Sequence, residues 1–374
     1  MKPVAPRSGR PVLQIAGTYI GTVVGAGFAS GQEILRFFTL YGSLGTAGML
    51  ISVALLGLYG VAVLRLGERL GAQSHRELLR AVGGPWLGRL ADWVISGFLF
   101  AGTGVMIAGS GAIFREQLAL PLWLGSAVMT VAAIVTVAGG LRGVVRAISL
   151  VAPVLVLMAV AVGLWSLASA AGGSAIGGGS AAASDTVLAA PLAWPVAALG
   201  EQAAAPHWLL AALLYASYNL LLAMPILAPL GAVLPGARLH WWGGLLGGFG
   251  LGAAGLAIHL AMVEQPYAVL GFEVPMLSLV RALSPLMTKL YTAILWAEVY
   301  TTAVAGLYSV SARLARERSP AFRPVVLAVA VAALVVSRVG FADLVGTLYP
   351  LVGYLGLIVL VAVPRYWLSG GRPG

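Results

Sequence analysis

The sequence predicts an all-α polytopic membrane protein: ten transmembrane helices in a five-plus-five inverted repeat, with the first and sixth helices discontinuous. Three observations predict it. Of 374 residues, 60% are hydrophobic and 9% are charged, whereas a water-facing domain carries roughly 25% charged residues. A bilayer crossing needs about 20 apolar residues, so the apolar content suffices for roughly ten crossings. Finally, two apolar runs at matching positions in the two halves are interrupted where a spanning helix is normally continuous. This composition excludes a soluble globular enzyme.

The elements follow in order. Residues 1–10 are short and basic, with two prolines, and read as a cytoplasmic tail. Residues 11–169 form the first five-helix repeat, with spans expected at 11–40, 44–66, 90–114, 121–139 and 145–169. Between the second and third spans, residues 74–89 carry His75, Arg76, Glu77, Arg80, Trp86 and Arg89, a mixture suited to an interfacial amphipathic helix. Residues 170–206 are rich in Gly, Ala and Ser and form an extracellular connection. The second repeat, 207–367, has spans at 207–233, 241–263, 286–312, 324–340 and 342–367. Its connection at 264–285 is expected to hold a short re-entrant or surface helix, and 368–374 form a second cytoplasmic tail.

Charge sets the orientation. The net charge is +10, from 22 Lys and Arg against 12 Asp and Glu. With the N-terminus inside, only Arg36, Arg115, Arg281, Lys289 and Arg338 fall on the outer side. That asymmetry is the positive-inside signal, so the excess charge calls for lipid and not for nucleic acid. Both termini are then cytoplasmic, in a plasma membrane of the bacterial inner-membrane type. The chain has no cysteine, which excludes disulfides, thiolate metal centres and thiol catalysis. No P-loop, His-Glu-x-x-His or Gly-x-Ser-x-Gly is present, so neither enzyme chemistry nor an organic cofactor is expected.

The first break lies in the run Gly21-Thr-Val-Val-Gly25-Ala-Gly27-Phe-Ala-Ser30-Gly31-Gln-Glu33. Each glycine costs up to about 1 kcal/mol against alanine in a helix. Ser30 and Glu33 have capping-box spacing, so helix is expected to resume at Ser30. The second break is expected in α-helical residues 207–233, where Tyr215, Ser217, Tyr218 and Asn219 precede Met224 and Pro225. Proline removes an amide and crowds the preceding turn. Backbone freed in this way must line a polar cavity, because lipid cannot satisfy it. Paired interruptions of this kind point to a transporter with a midplane site.

Two intramembrane carboxylates are candidates for coupling or gating. Glu33 follows the first break. Glu298 shares a helix face with Thr302 and lies three residues from Thr301. An acidic residue in a span costs about 2.5–3.5 kcal/mol and marks function by default. Hydroxyls and freed carbonyls are hard oxygen ligands suited to a small cation. The alternative for both threonines is a hydrogen bond back to their own helix. Asp92 is expected to pair with Arg89, and His259 to be a hydrogen-bonded packing residue.

The first-span motif with Phe37 and Phe38, the Thr301–Thr302 pair and residues 341–356 resemble the YkvI-type bacterial membrane proteins. These are distant relatives of the amino acid–polyamine–organocation superfamily, which has the LeuT-like fold. The resemblance covers nearly the whole chain. It implies a cation-coupled transporter of an amino acid or similar small organic solute, with Na+ preferred and H+ the alternative. It places Na+ on the carbonyls of Gly21, Val24 and Glu298 and the hydroxyls of Thr301 and Thr302. It places the solute on Val24, Gly25, Ala26, Gly27, Ser217, Tyr218, Asn219 and Met224. The other class it suggests is a solute receptor without transport. Oligomeric state is not specified by the sequence.

Overall fold

The computed structural model describes residues 11–139 and 202–368. The expected fifth span at 145–169, both tails beyond these limits and residues 170–201 of the connection lie outside the described residues. The described chain is helical throughout. The first span is divided into α1 (Pro11–Val23), α2 (Ala26–Ser30) and α3 (Gln32–Phe37). Then come α4 (Ser43–Leu70), α5 (His75–Leu118), α6 (Leu122–Ala138), α7 (Trp208–Val233) and α8 (Ala237–Val263). Two short helices, α9 (Pro266–Val269) and α10 (Pro275–Leu283), occupy the connection expected to hold one. The chain ends with α11 (Pro285–Leu314), α12 (Phe322–Val336) and α13 (Phe341–Leu368). Among the described residues, seven helices are long and apolar enough to cross a membrane, and α6 is a shorter apolar helix.

The helices form two packing groups. α1, α4, α7 and α8 lie against one another, while α5, α6, α11 and α12 form the second set. α13 touches both, running along α7 and α5. Lipid gives no hydrophobic drive between helices, so association relies on close packing through small residues. α4 and α7 show this reciprocally. A side chain on Gly67 would strike the Ala228 carbonyl, and one on Gly231 would strike the Leu64 carbonyl. On α8, Gly244 and Gly248 lie against the α4 backbone at Val61 and Gly57.

Helix covers the stretch expected to be interfacial, 74–89, but it is joined to the third span. α5 bends at Gly83 and at Gly84, whose φ is +75°. Pro85 then restarts the helix, where its missing amide does no harm. The bend brings Arg76 onto Asp92 at 2.6 Å, and Arg313 of α11 joins at 3.2 Å. The expected Asp92 partner, Arg89, is thus replaced by Arg76, which the kink folds over the second segment of α5, and by Arg313, with His75 Nε2 at 3.8 Å.

Candidate functional site

The first span breaks where its glycines predict. The Val24 amide donates to the Ile20 carbonyl at 2.8 Å, completing the last turn of α1. Gly25 is extended, with φ −130° and ψ −174°, and α2 begins at Ala26. Among the described residues, the carbonyls of Gly21, Val23 and Val24 and the amides of Gly25, Ala26 and Gly27 have no backbone partner. Among the described residues, no heavy atom lies within 4 Å of where a side chain would begin on Gly17, Gly21 or Gly25; Gly17 and Gly21 are exposed. Val24 is buried and Gly25 is half-buried. The break therefore presents bare peptide dipoles among the described residues.

A second interruption falls at Gly31, whose φ of +82° both ends α2 and begins α3. The expected capping box is corrected here. Helix resumes at Ala26 and not at Ser30. The Ser30 hydroxyl donates to the Gly27 carbonyl at 2.8 Å and accepts from the Gln32 amide at 3.3 Å. Glu33 does not reach back to Ser30, because the left-handed turn at Gly31 swings it toward Gly27. Its carboxylate fills the volume that a side chain on Gly27 would need. There it accepts hydrogen bonds from the Tyr218 hydroxyl and the Phe28 amide.

The sixth span is not broken: α7 is helical from Trp208 to Val233, through both Pro225 and Pro229. Its polar residues are absorbed locally. The Ser217 hydroxyl lies 2.9 Å from the Leu214 carbonyl and 2.6 Å from the Gly353 carbonyl of α13. The Asn219 side-chain amide donates to the Tyr215 carbonyl at 3.0 Å. Tyr218 is enclosed by the rings of Phe37, Tyr215 and Tyr349, at centroid separations of 5.6, 5.5 and 5.3 Å. Met224 is fully buried. With hydroxyl and amide groups bonded in place, the helix does not have to open to satisfy them, and neighbouring helices support the proline sites.

On α11, the Tyr291 hydroxyl donates to the Ala29 carbonyl at 2.6 Å, which fixes this helix against α2. Glu298 lies two turns further along the same face, about 10 Å away. It is 4% exposed, and among the described residues its Oε2 has no hydrogen-bond partner. Thr301 is buried and donates to the Glu298 carbonyl at 3.0 Å, the local bond weighed as its alternative role. Thr302 is half-buried. Sequence reasoning missed Tyr291 and Tyr349, which tie α11 to α2 and box in Tyr218. The signal for Tyr291 was its seven-residue spacing from Glu298. His259 is a packing residue as expected, with its ring nitrogens 3.1 Å from the Thr39 hydroxyl and 2.9 Å from that of Thr46.

Together, a first span broken at its glycines, a bundle of α1, α4, α7 and α8, and a second helix set define a polytopic membrane protein of the LeuT-like fold. Three solved structures share it. They are MhsT in complex with L-phenylalanine (TM-score 0.55, 18% identity, 96% of this chain and 98% of that one), Mhp1 in its inward-facing conformation (0.57, 17%, 97% and 77%) and the Eremococcus coleocola manganese transporter (0.58, 12%, 97% and 81%). In sequence, the chain is homologous to the uncharacterized membrane protein YkvI of Bacillus subtilis (strain 168), 28% identical over 353 residues that cover 94% of each. It is also 27% identical to YyaD of the same organism over 347 residues, 93% of this chain and 94% of that one. No family model matches the chain.

Proposed function

We propose that the protein is a cation-coupled secondary transporter, with Na+ preferred over H+, that moves an amino acid or similar small organic solute by alternating access. It would sit in a bacterial-type plasma membrane with both termini cytoplasmic. The observation that carries this reading is the break at Val24–Gly25, where carbonyls and amides without a backbone partner among the described residues interrupt an apolar span. The carbonyls of Gly21 and Val24 then join the carbonyl of Glu298 and the hydroxyls of Thr301 and Thr302 on Na+. The amides at Gly25, Ala26 and Gly27 receive the solute, with Ser217, Tyr218, Asn219 and Met224 on the facing helix. Hard oxygen donors of this kind suit a small cation. Similar structures include MhsT with L-phenylalanine and a Na+-coupled sialic acid symporter.

Proteoliposome uptake of amino acids under an imposed Na+ gradient tests the reading. Thr301→Ala with Thr302→Ala is expected to abolish the Na+ dependence; unchanged dependence would reject the ion site. One observation favours a second reading, a solute receptor without turnover: α7 is continuous, so only one of the two expected hinges is present. Saturable binding without flux would decide for the receptor.

A further inference from the structure

Glu33 is the unusual group that the ion site leaves unexplained. It is 3% exposed and sits on α3 directly after the break. An ionised carboxylate without a cation is costly to bury. Among the described residues, no basic side chain lies within ion-pair distance of it. Its own helix carries Arg36, but that guanidinium turns outward to Asp343 of α13 at 3.6 Å and to the Gln202 carbonyl at 3.1 Å. Among the described residues, two donors hold the carboxylate. The Tyr218 hydroxyl belongs to α7 and the Phe28 amide belongs to α2, three residues beyond the break. One carboxylate thus clasps the restarted helix and the facing span together.

The elements packed on α3 offer few other ionisable groups. α7 presents Tyr215 and Tyr218, and α13 presents Tyr349 together with the Asp343 already committed to Arg36. α8 brings His259, which is committed to Thr39 and Thr46. The turn after α3 brings Tyr41, whose hydroxyl is hydrogen-bonded to the Ala205 backbone. α2 contains no ionisable side chain. Among the described residues, no basic side chain is at hand to discharge Glu33.

We infer that Glu33 is a proton-binding site, and that protonation loosens the clasp it forms between Tyr218 of α7 and the Phe28 amide at the head of α2. The proton comes from water and ends on a carboxylate oxygen. The bonds to Tyr218 and Phe28 then become neutral ones, about half as strong as charge-assisted ones. Because Phe28 lies at the break, the geometry of Gly25 and Ala26 follows the protonation state. This deepens the transport reading by giving the solute site a proton switch separate from the hydroxyl-bearing face of α11, and it rests on that reading for its consequence in flux.

The test needs neither solute nor Na+. The purified full-length protein, reconstituted in lipid nanodiscs, is titrated by pH-difference infrared spectroscopy. We expect a carboxylic-acid carbonyl band that grows on acidification, is lost in Glu33→Gln, is displaced in frequency in Tyr218→Phe and survives in Glu298→Gln. The chain has no native cysteine, so Gly25→Cys provides a single reporter in the break. Its labelling rate, normalised to a free thiol at each pH, should rise about fivefold on acidification, the equivalent of roughly 1 kcal/mol. In Glu33→Gln the rate should stay at the acid level. A band that persists in Glu33→Gln, or that disappears in Glu298→Gln instead, overturns the proposal, as does labelling with the same pH response in both backgrounds. If uptake shows no coupled flux while the band and labelling behave as expected, the transport reading fails and the proton site stands.

Discussion

The first span and α7 hold corresponding positions at the start of the two halves, yet one is broken and the other is not. Both carry residues that weaken helices, but they do so differently. The first span offers Gly25, Gly27 and Gly31 in seven residues, with Gly31 at φ +82°. Backbone of this kind turns at little cost. α7 offers Pro225 and Pro229, which remove amides without freeing φ. Its polar side chains, moreover, bond to its own carbonyls and to Gly353. The lesson is that glycine permits a break, whereas proline in a well-packed span only thins the hydrogen-bond ladder.

The largest effect should come from disturbing the packing that keeps α7 straight. In Gly231→Val the new side chain meets the Leu64 backbone, which has no flexible end to yield. Overpacking of that kind costs about 3 kcal/mol, and thermal unfolding in detergent should show the largest loss of any substitution considered. An unchanged midpoint would mean that α4 and α7 are further apart than described.

Gly31→Ala probes the broken span in the same way and should cost less. Holding alanine at a left-handed φ costs about 1–2 kcal/mol, and the new carbon would meet Met276 Cγ, within a flexible side chain, at 2.9 Å and the Met276 backbone nitrogen at 3.4 Å. If Gly31→Ala destabilised as much as Gly231→Val, the two regions would not differ in rigidity as argued. Ser217→Ala should cost about 1 kcal/mol, the usual worth of a buried hydrogen bond, because it removes the link between α7 and the Gly353 carbonyl. A larger loss would make Ser217 the main tie between α7 and α13.

The same contrast explains what could be read from the chain. Hydropathy located seven of the expected spans among the described residues, because apolar length is a property of sequence alone. The first break was legible for the same reason: glycine acts through its own backbone. The state of α7 was not legible, since it depends on whether Ser217 and Asn219 find acceptors, and one of those acceptors lies 136 residues away at Gly353. Asp92 was misassigned because its partners, Arg76 and Arg313, are brought to it by the bend at Gly83 and Gly84 and by α11. The position of Glu33 was visible in the sequence, but the turn at Gly31 that directs it to Tyr218 was not.

Pro225→Ala gives the smallest effect on stability and the sharpest test of the comparison. Alanine restores an amide opposite the Leu221 carbonyl and relieves the crowding of the pyrrolidine ring. In a helix already continuous, the gain should be modest, about 0.5 kcal/mol by thermal unfolding, because the native backbone has relaxed around the proline. Flux is where the two functional readings part. In a transporter the thinned ladder lets α7 bend as the bundle of α1, α4, α7 and α8 moves against the second set, so filling the gap should slow uptake severalfold and leave solute binding intact. In a receptor with a rigid α7, binding stays and there is no flux to slow. Uptake at the wild-type rate in Pro225→Ala would show that only the first span hinges, and that the asymmetry between the two halves persists through the working cycle.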